Sequence, residues 1–189
     1  RLLALGADPG HGVTYQYKSN VTALEAAMEE GTYSPSVVRD GRLFKTAQLL
    51  LEARYGKPSA SGESAIPEKV LAQAMKAEDD ALVELLVEYG VDVNALVNIE
   101  YSTYYSVVGY AVRRGHVDFL KKLLVKNPSA ESLRSGMDQA ILKDQIGAAT
   151  VLLDHGVPFD EEMSSLYGPY VYRAIDEGYI ELARLLIDR

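Results

Sequence analysis

Apolar residues recur at spacings of three and four along this chain, in short bursts cut off by glycine or by acidic residues, a periodicity that predicts amphipathic helices. Five of these bursts align without internal gaps. They read Thr22-Ala-Leu-Glu-Ala-Ala-Met-Glu-Glu-Gly31, Lys69-Val-Leu-Ala-Gln-Ala-Met-Lys-Ala-Glu78, Ser106-Val-Val-Gly-Tyr-Ala-Val-Arg-Arg-Gly115, Ser135-Gly-Met-Asp-Gln-Ala-Ile-Leu-Lys-Asp144 and Pro169-Tyr-Val-Tyr-Arg-Ala-Ile-Asp-Glu-Gly178. The sixth position is always alanine, namely Ala27, Ala74, Ala111, Ala140 and Ala174, and the third is Leu24, Leu71, Val108, Met137 or Val171. A small residue three positions after a larger apolar one places both on one face of a short helix, where another backbone can come close.

Each burst is followed by a second amphipathic stretch ending in leucines or their equivalents: Leu43–Ala53, Ala81–Tyr89, Val117–Lys126, Ile146–His155 and Ile180–Asp188. Leu2 and Leu3 read as the tail of an earlier one, and Gly6, Gly90 and Gly156 stand where a helix ends in a left-handed cap. The unit is therefore helix, tight turn, helix, loop. Local signals agree with this register. Thr22 and Glu25 form a capping box, Pro67 suits a first helical turn, and Asp79, Asp80 and Asp118 stand where carboxylates favour the helix dipole.

With this register in place, the chain resembles the ankyrin-repeat family, whose unit of about 33 residues opens on a Thr-Pro-Leu-His-x-Ala pattern. Thr22-Ala-Leu-Glu-Ala-Ala is similar to that start, and Gly115-His-Val-Asp-Phe-Leu-Lys-Lys-Leu-Leu and Gly178-Tyr-Ile-Glu-Leu-Ala-Arg-Leu-Leu-Ile resemble the inter-helix turn and second helix. Leu2-Leu-Ala-Leu-Gly-Ala-Asp-Pro and Glu88-Tyr-Gly-Val-Asp-Val-Asn resemble the junction into a finger loop. The fold class implied is an all-α ankyrin-repeat solenoid of helix-turn-helix units with long finger loops. The expected organisation is a single repeat domain over 1–189, with 1–21 as the tail of a preceding repeat and successive repeats at 22–66, 67–105, 106–132, 133–166 and 167–189.

The array departs from a regular one. Glu25, Ala72, Gly109, Asp138 and Tyr172 replace the motif histidine, and the alanines at 27, 74, 111, 140 and 174 are separated by 47, 37, 29 and 34 residues. The longest spacing reflects an insertion, roughly Thr32 to Asp40, that reads as surface decoration or as a private contact loop. A tetratricopeptide array is the competing solenoid, but the chain has no tryptophan, and its loops before the alanine helices are longer than such arrays use.

Solenoids recognise partners along an extended concave face, and the resemblance implies recognition by the fingers and the solvent end of each first helix. Those ends carry Glu29-Glu30, Lys76-Ala77, Arg113-Arg114, Leu142-Lys143 and Asp176-Glu177, a run that is acidic, then basic three times, then acidic. The bland reading is an ordinary solvated helix face. The sharper one is a groove for an acidic or phosphorylated segment, with arginine suited to bidentate contacts. Tyrosine adds to it, with 13 against three phenylalanines. Tyr15 and Tyr17, Tyr101, Tyr104 and Tyr105, and Tyr167, Tyr170 and Tyr172 crowd the expected fingers, where they serve either binding or finger packing. Tyr89 and Tyr179, on second helices, read as packing. The candidate partner-binding set is thus Lys76, Tyr101, Tyr104, Tyr105, Arg113, Arg114, Lys143, Tyr170 and Asp176.

Composition closes off other classes. A formal charge of -8 disfavours nucleic acid and anionic membranes, which are met with clustered cations. No apolar run approaches the roughly 18 residues that span a bilayer. The absence of cysteine removes disulfides and thiolate metal sites and fits a cytoplasmic setting, with the nucleus left open. His11, His116 and His155 are far apart, and His116 falls at the inter-helix turn, where it reads as a cap. Gly10-His11-Gly12 lacks the rest of a phosphate loop, Asp160-Glu161-Glu162 reads as solvated, and no triad can be assembled. The expectation is a protein-binding module that is no enzyme, with no cofactor and no metal, and with a protein or peptide as partner. The alternative is a spacer or regulatory segment of a larger enzyme or receptor. Arg1 and the apolar residues near both ends suggest a fragment flanked by further repeats or domains.

Overall fold

The computed structural model describes residues 13–15, 18–27, 42–55, 66–100, 103–157 and 169–189. Among them the chain is mostly helical. In order come β1 (Val13–Tyr15) and β2 (Lys18–Val21), a helical segment over 23–27, then α1 (Arg42–Tyr55), α2 (Glu68–Lys76) and α3 (Asp80–Glu88). Next are β3 (Val97–Glu100) and β4 (Thr103–Tyr105), followed by α4 (Val107–Arg113), α5 (Val117–Leu124), α6 (Ala130–Leu142), α7 (Ile146–Asp154), α8 (Tyr170–Asp176) and α9 (Ile180–Ile187). Leu2, Leu3, His11, the Thr32 to Asp40 insertion and Asp160 to Glu162 lie outside the described residues.

The chain forms two compact units. In the first, β1 pairs antiparallel with β2, with Val13 opposite Val21 and Tyr15 opposite Lys18 across an irregularity in register. Helix α3 packs on both α1 and α2, and β3 lies against α2. Its core includes Leu51, Leu71, Met75, Leu82 and Leu86. The second unit stacks three helix pairs. The first helices α4, α6 and α8 pack in succession, as do the second helices α5, α7 and α9 behind them. Leu120, Leu123, Met137, Ile141, Leu152 and Leu182 fill the layer between.

The aligned positions explain why these segments pair. Ala74, Ala111, Ala140 and Ala174 are fully buried, as are Leu71, Val108 and Met137 at the third position. The tenth position is left-handed in all four described repeats, with φ of 53° at Glu78, 74° at Gly115, 51° at Asp144 and 77° at Gly178. That conformation lets the following N–H reach back to the alanine carbonyl: Asp79 to Ala74 at 3.2 Å, His116 to Ala111 at 2.9 Å, Gln145 to Ala140 at 2.8 Å and Tyr179 to Ala174 at 2.8 Å. One turn is thus built four times, twice on glycine and twice on an acidic residue.

Capping follows the sequence closely. The Thr22 N–H donates to Glu25 Oε2 at 2.9 Å and the Glu25 N–H to Thr22 Oγ1 at 3.2 Å, the reciprocal box expected. Asp79 caps α3 by accepting the Leu82 N–H at 3.1 Å. Pro67 falls at the N-cap of α2, one residue before the first helical turn in which it was expected. His116 is the N-cap residue of α5 but makes no capping bond through its side chain.

Helix α6 departs from the other first helices. It begins at Ala130, upstream of residue 133, because Ser129 accepts the Ser132 N–H at 3.2 Å and so starts the helix early. Only residues 125–129 separate α5 from α6, so no finger fits there, and this accounts for the short spacing between Ala111 and Ala140. Asn94 Oδ1 accepts the Ser129 N–H at 2.7 Å and fixes the junction.

Helices α4 and α6 approach most closely. Buried Ser106 donates its hydroxyl to the Ser132 carbonyl at 3.2 Å, accepts the Gly109 N–H at 3.1 Å, and donates its own N–H to Ser135 Oγ at 3.4 Å. A Cβ on Gly136 would lie 2.7 Å from Val108 Cγ1, and one on Gly109 would collide with Ser135 Oγ. Val108 is β-branched and fully buried, so it cannot yield cheaply. Gly136→Ala is therefore expected to destabilise the chain by about 1–3 kcal/mol in urea denaturation. Gly147→Ala, where the added Cβ would be 3.9 Å from Val117 Cγ2, is expected to stabilise it by up to about 1 kcal/mol through helix propensity. Asp144→Gly relieves a left-handed non-glycine residue and is expected to raise the denaturation midpoint, by an amount equivalent to roughly 1 kcal/mol.

Candidate functional site

The side chains with binding chemistry in the second unit gather at the C-terminal ends of the first helices. Arg113 closes the last turn of α4 and Arg114 is its C-cap; Lys143 is the C-cap of α6; Asp176 ends α8 and Glu177 is its C-cap. Cations suit a helix C-terminus, whose carbonyls carry partial negative charge, and carboxylates do not. The basic ends therefore agree with their helices, while Asp176 and Glu177, both exposed, oppose theirs.

Arg113 is held by its finger. Its Nη1 donates to the Tyr105 hydroxyl at 2.6 Å, and the guanidinium carbon lies 5.2 Å from the centroid of the same ring. A hydrogen bond and a cation–π contact from one aromatic side chain fix the guanidinium plane and reduce the rotamer entropy that binding would cost. Tyr105 itself is buried, whereas Tyr104, its neighbour on β4, is 60% exposed. Burial of alternate residues follows from the strand, which sends successive side chains to opposite sides.

The remaining candidates separate. Lys76 ends α2, exposed, in the first unit. Lys143 is exposed at the turn into α7. Tyr101 lies outside the described residues. Tyr170 is buried at the start of α8, where its hydroxyl interacts with the Asp138 carboxyl of α6. Of the packing assignments, Tyr89 is buried and Tyr179 half-buried at the N-cap of α9.

Sequence reasoning missed the group around Tyr170. Asp138 and Arg134 on α6 and Tyr170 and Arg173 on α8 are electrostatic neighbours. Desolvation pushes the Asp138 carboxyl up from its ordinary 3.8, against the opposing pull of Tyr170, Arg173 and Arg134. Burial, together with the adjacent Asp138, also pushes the Tyr170 hydroxyl up. The available signal was a polar residue at the motif-histidine position of the aligned segment, where the next first helix must stack.

Among the described residues, no group of three or more acidic or histidine side chains is placed to hold a metal ion, and no helix is long and apolar enough to cross a membrane. What the geometry defines is a stack of helix-turn-helix pairs with a shared turn and small residues at the inner contacts, a solenoid of repeats. Residues 71–124, from α2 through α5, match the family model described as Ankyrin repeats (many copies). The match covers under a third of the chain, and ankyrin repeats are generally protein–protein interaction modules, in a family that is typically non-enzymatic. No curated protein matches the chain.

The half-buried Asp138 carboxyl has a signed consequence. A folded-state pKa above the ordinary value means that the native chain holds this proton more tightly than the unfolded chain does. Its contribution to stability is therefore present below about pH 3.8 and is lost as pH rises through the raised value. Asp138→Asn is expected to flatten that part of the urea-stability profile relative to the parent. Asp79, whose carboxyl desolvation also pushes up, stays the same in both proteins. Parallel profiles for parent and variant across this window would count against the assignment.

Proposed function

We propose that this chain is a protein-binding module whose recognition surface is formed by the basic ends of α4 and α6 with the β4 finger beside them. The observation that carries this reading is the pre-positioned guanidinium of Arg113, clamped by Tyr105 through ring and hydroxyl together. Arg114 and Lys143 take equivalent positions in adjacent repeats and add positive charge, which selects an acidic or phosphorylated peptide. Tyr104 offers exposed aromatic area at the edge. Tyr105 and Tyr170, being buried, act behind the surface: one orients Arg113 and the other seats α8 on α6. Lys76 and Tyr101, in the first unit, are proposed as contact residues of that unit by their place in the repeat, and Asp176 marks the acidic end of the second unit, where the preference reverses. The repeats expected at 22–66, 67–105, 106–132, 133–166 and 167–189 are proposed as the units of the array, with the fourth opening at Ser129, where α6 is capped, and the absence of cysteine supports a reducing, cytoplasmic setting.

A peptide array containing acidic, phosphorylated and basic sequences tests the reading on the purified chain. Acidic or phosphorylated peptides are expected to bind, with affinity falling as salt rises. Arg113→Glu combined with Arg114→Glu is expected to cost at least about tenfold, consistent with the loss of charge-assisted bonds. Tyr105→Phe keeps the ring and loses the hydroxyl bond, so a smaller loss is expected. Unchanged binding by a folded double variant, or retention of basic peptides alone, overturns the proposal.

A further inference from the structure

One row of equivalent side chains crosses the second unit and changes chemistry at each step. Arg113, Leu142 and Asp176 each stand two residues after the aligned alanine of α4, α6 and α8. The position before them turns inward in the first two repeats, where Val112 and Ile141 are buried. The row itself faces out. Arg113 is half-buried, Leu142 is 39% exposed although α8 stacks on α6, and Asp176 is exposed. Stacking of repeats therefore does not cover this row, which is cationic at α4, apolar at α6 and anionic at α8.

The charges at its two ends differ in how they suit their helices. Asp176, with Glu177 beside it, puts two carboxylates at a helix C-terminus, where the peptide dipole disfavours them. A cation brought by a partner offsets that cost. At the other end Arg114 doubles the positive charge of Arg113, and exposed Lys143 carries it to the edge of Leu142. An apolar side chain between opposite charges favours a partner ordered in the complementary way, acidic, then apolar, then basic.

Spacing selects the conformation of that partner. Packed helices lie about 8–10 Å apart, so the row offers one contact per step of that length. A β-strand returns to the same face every two residues, at about 7 Å, or every four, at about 13 Å, and neither matches the step. A polyproline II segment returns every three residues and advances about 9 Å in doing so. It also needs no strand to pair with, which suits a surface made of helix ends.

We infer that the row of Arg113, Leu142 and Asp176 reads a polyproline II peptide in which an acidic, an apolar and a basic side chain stand three residues apart. The inference rests on the basic surface proposed above and extends it, since that surface alone asks only for negative charge.

Fluorescence anisotropy with labelled, end-capped peptides tests this on the 189-residue chain. The probe is Glu-x-x-Leu-x-x-Lys, made in both sequence orders, with serine or proline at x. One control exchanges Leu and Lys, and the other, Glu-x-Leu-x-Lys, has the strand period. In its better order the probe is expected to bind at least about tenfold more tightly than either control. Proline at x is expected to tighten binding by preorganisation. Asp176→Lys is expected to reverse the preference at the last position, so that Glu-x-x-Leu-x-x-Glu binds better than the probe. This variant puts a cation at a helix C-terminus and is expected to unfold no earlier than the parent, so a lost fold does not obscure the result. Acidic peptides that bind whatever their order, a preference for the strand period, or an unchanged preference in Asp176→Lys each overturn the inference and leave the basic surface standing. Failure of every acidic peptide to bind removes both.

Discussion

The second unit depends on how closely two inner helices can approach. Helices α4 and α6 meet where Gly109 faces Ser135 and Gly136 faces Val108, with Ser106 threading its hydroxyl and N–H between them. No room remains there for a methyl group at Gly136 without moving Val108. Dispersion at such separations is strong because the interior is packed to crystal-like density. The left-handed turn contributes to the same contact, since it returns the chain onto the alanine carbonyl and sets each second helix behind its first.

These requirements explain which parts of the fold were legible. The alanine column marks the close contacts, and the tenth aligned residue marks the turn. Both are local constraints that leave a fixed residue type or backbone angle behind. Thr22 with Glu25, and Asp79, were legible for the same reason, because a cap is decided within four residues. The start of α6 was harder to read. Ser129 caps it, but a serine after Asn127-Pro128 suits a loop equally well, and the Asn94 bond that fixes the junction comes from 35 residues away.

For the candidate residues, place along the helices could be read from the sequence and depth of burial could not. Charge at helix ends is a sequence property once the register is known, so Arg113, Arg114 and Lys143 stand at the expected ends. Exposure is not such a property. Tyr105 and Tyr170 carry the same side chain as Tyr104 and Tyr172, yet the first two are buried and the other two exposed. Strand alternation decides one pair and the stacking of α8 on α6 the other. Asp138 was legible only as a replaced motif histidine, because its partners Tyr170 and Arg173 lie more than 30 residues downstream.

The five-residue connection between α5 and α6 bears on the order in which the array assembles. Loop closure grows costlier with length, and contacts between elements near in sequence form before distant ones. The α4–α7 segment combines that short connection with the tightest interface and so has the least chain entropy to surmount. On these grounds the repeat without a finger is the one whose stacking contacts ask the least loop closure of the second unit.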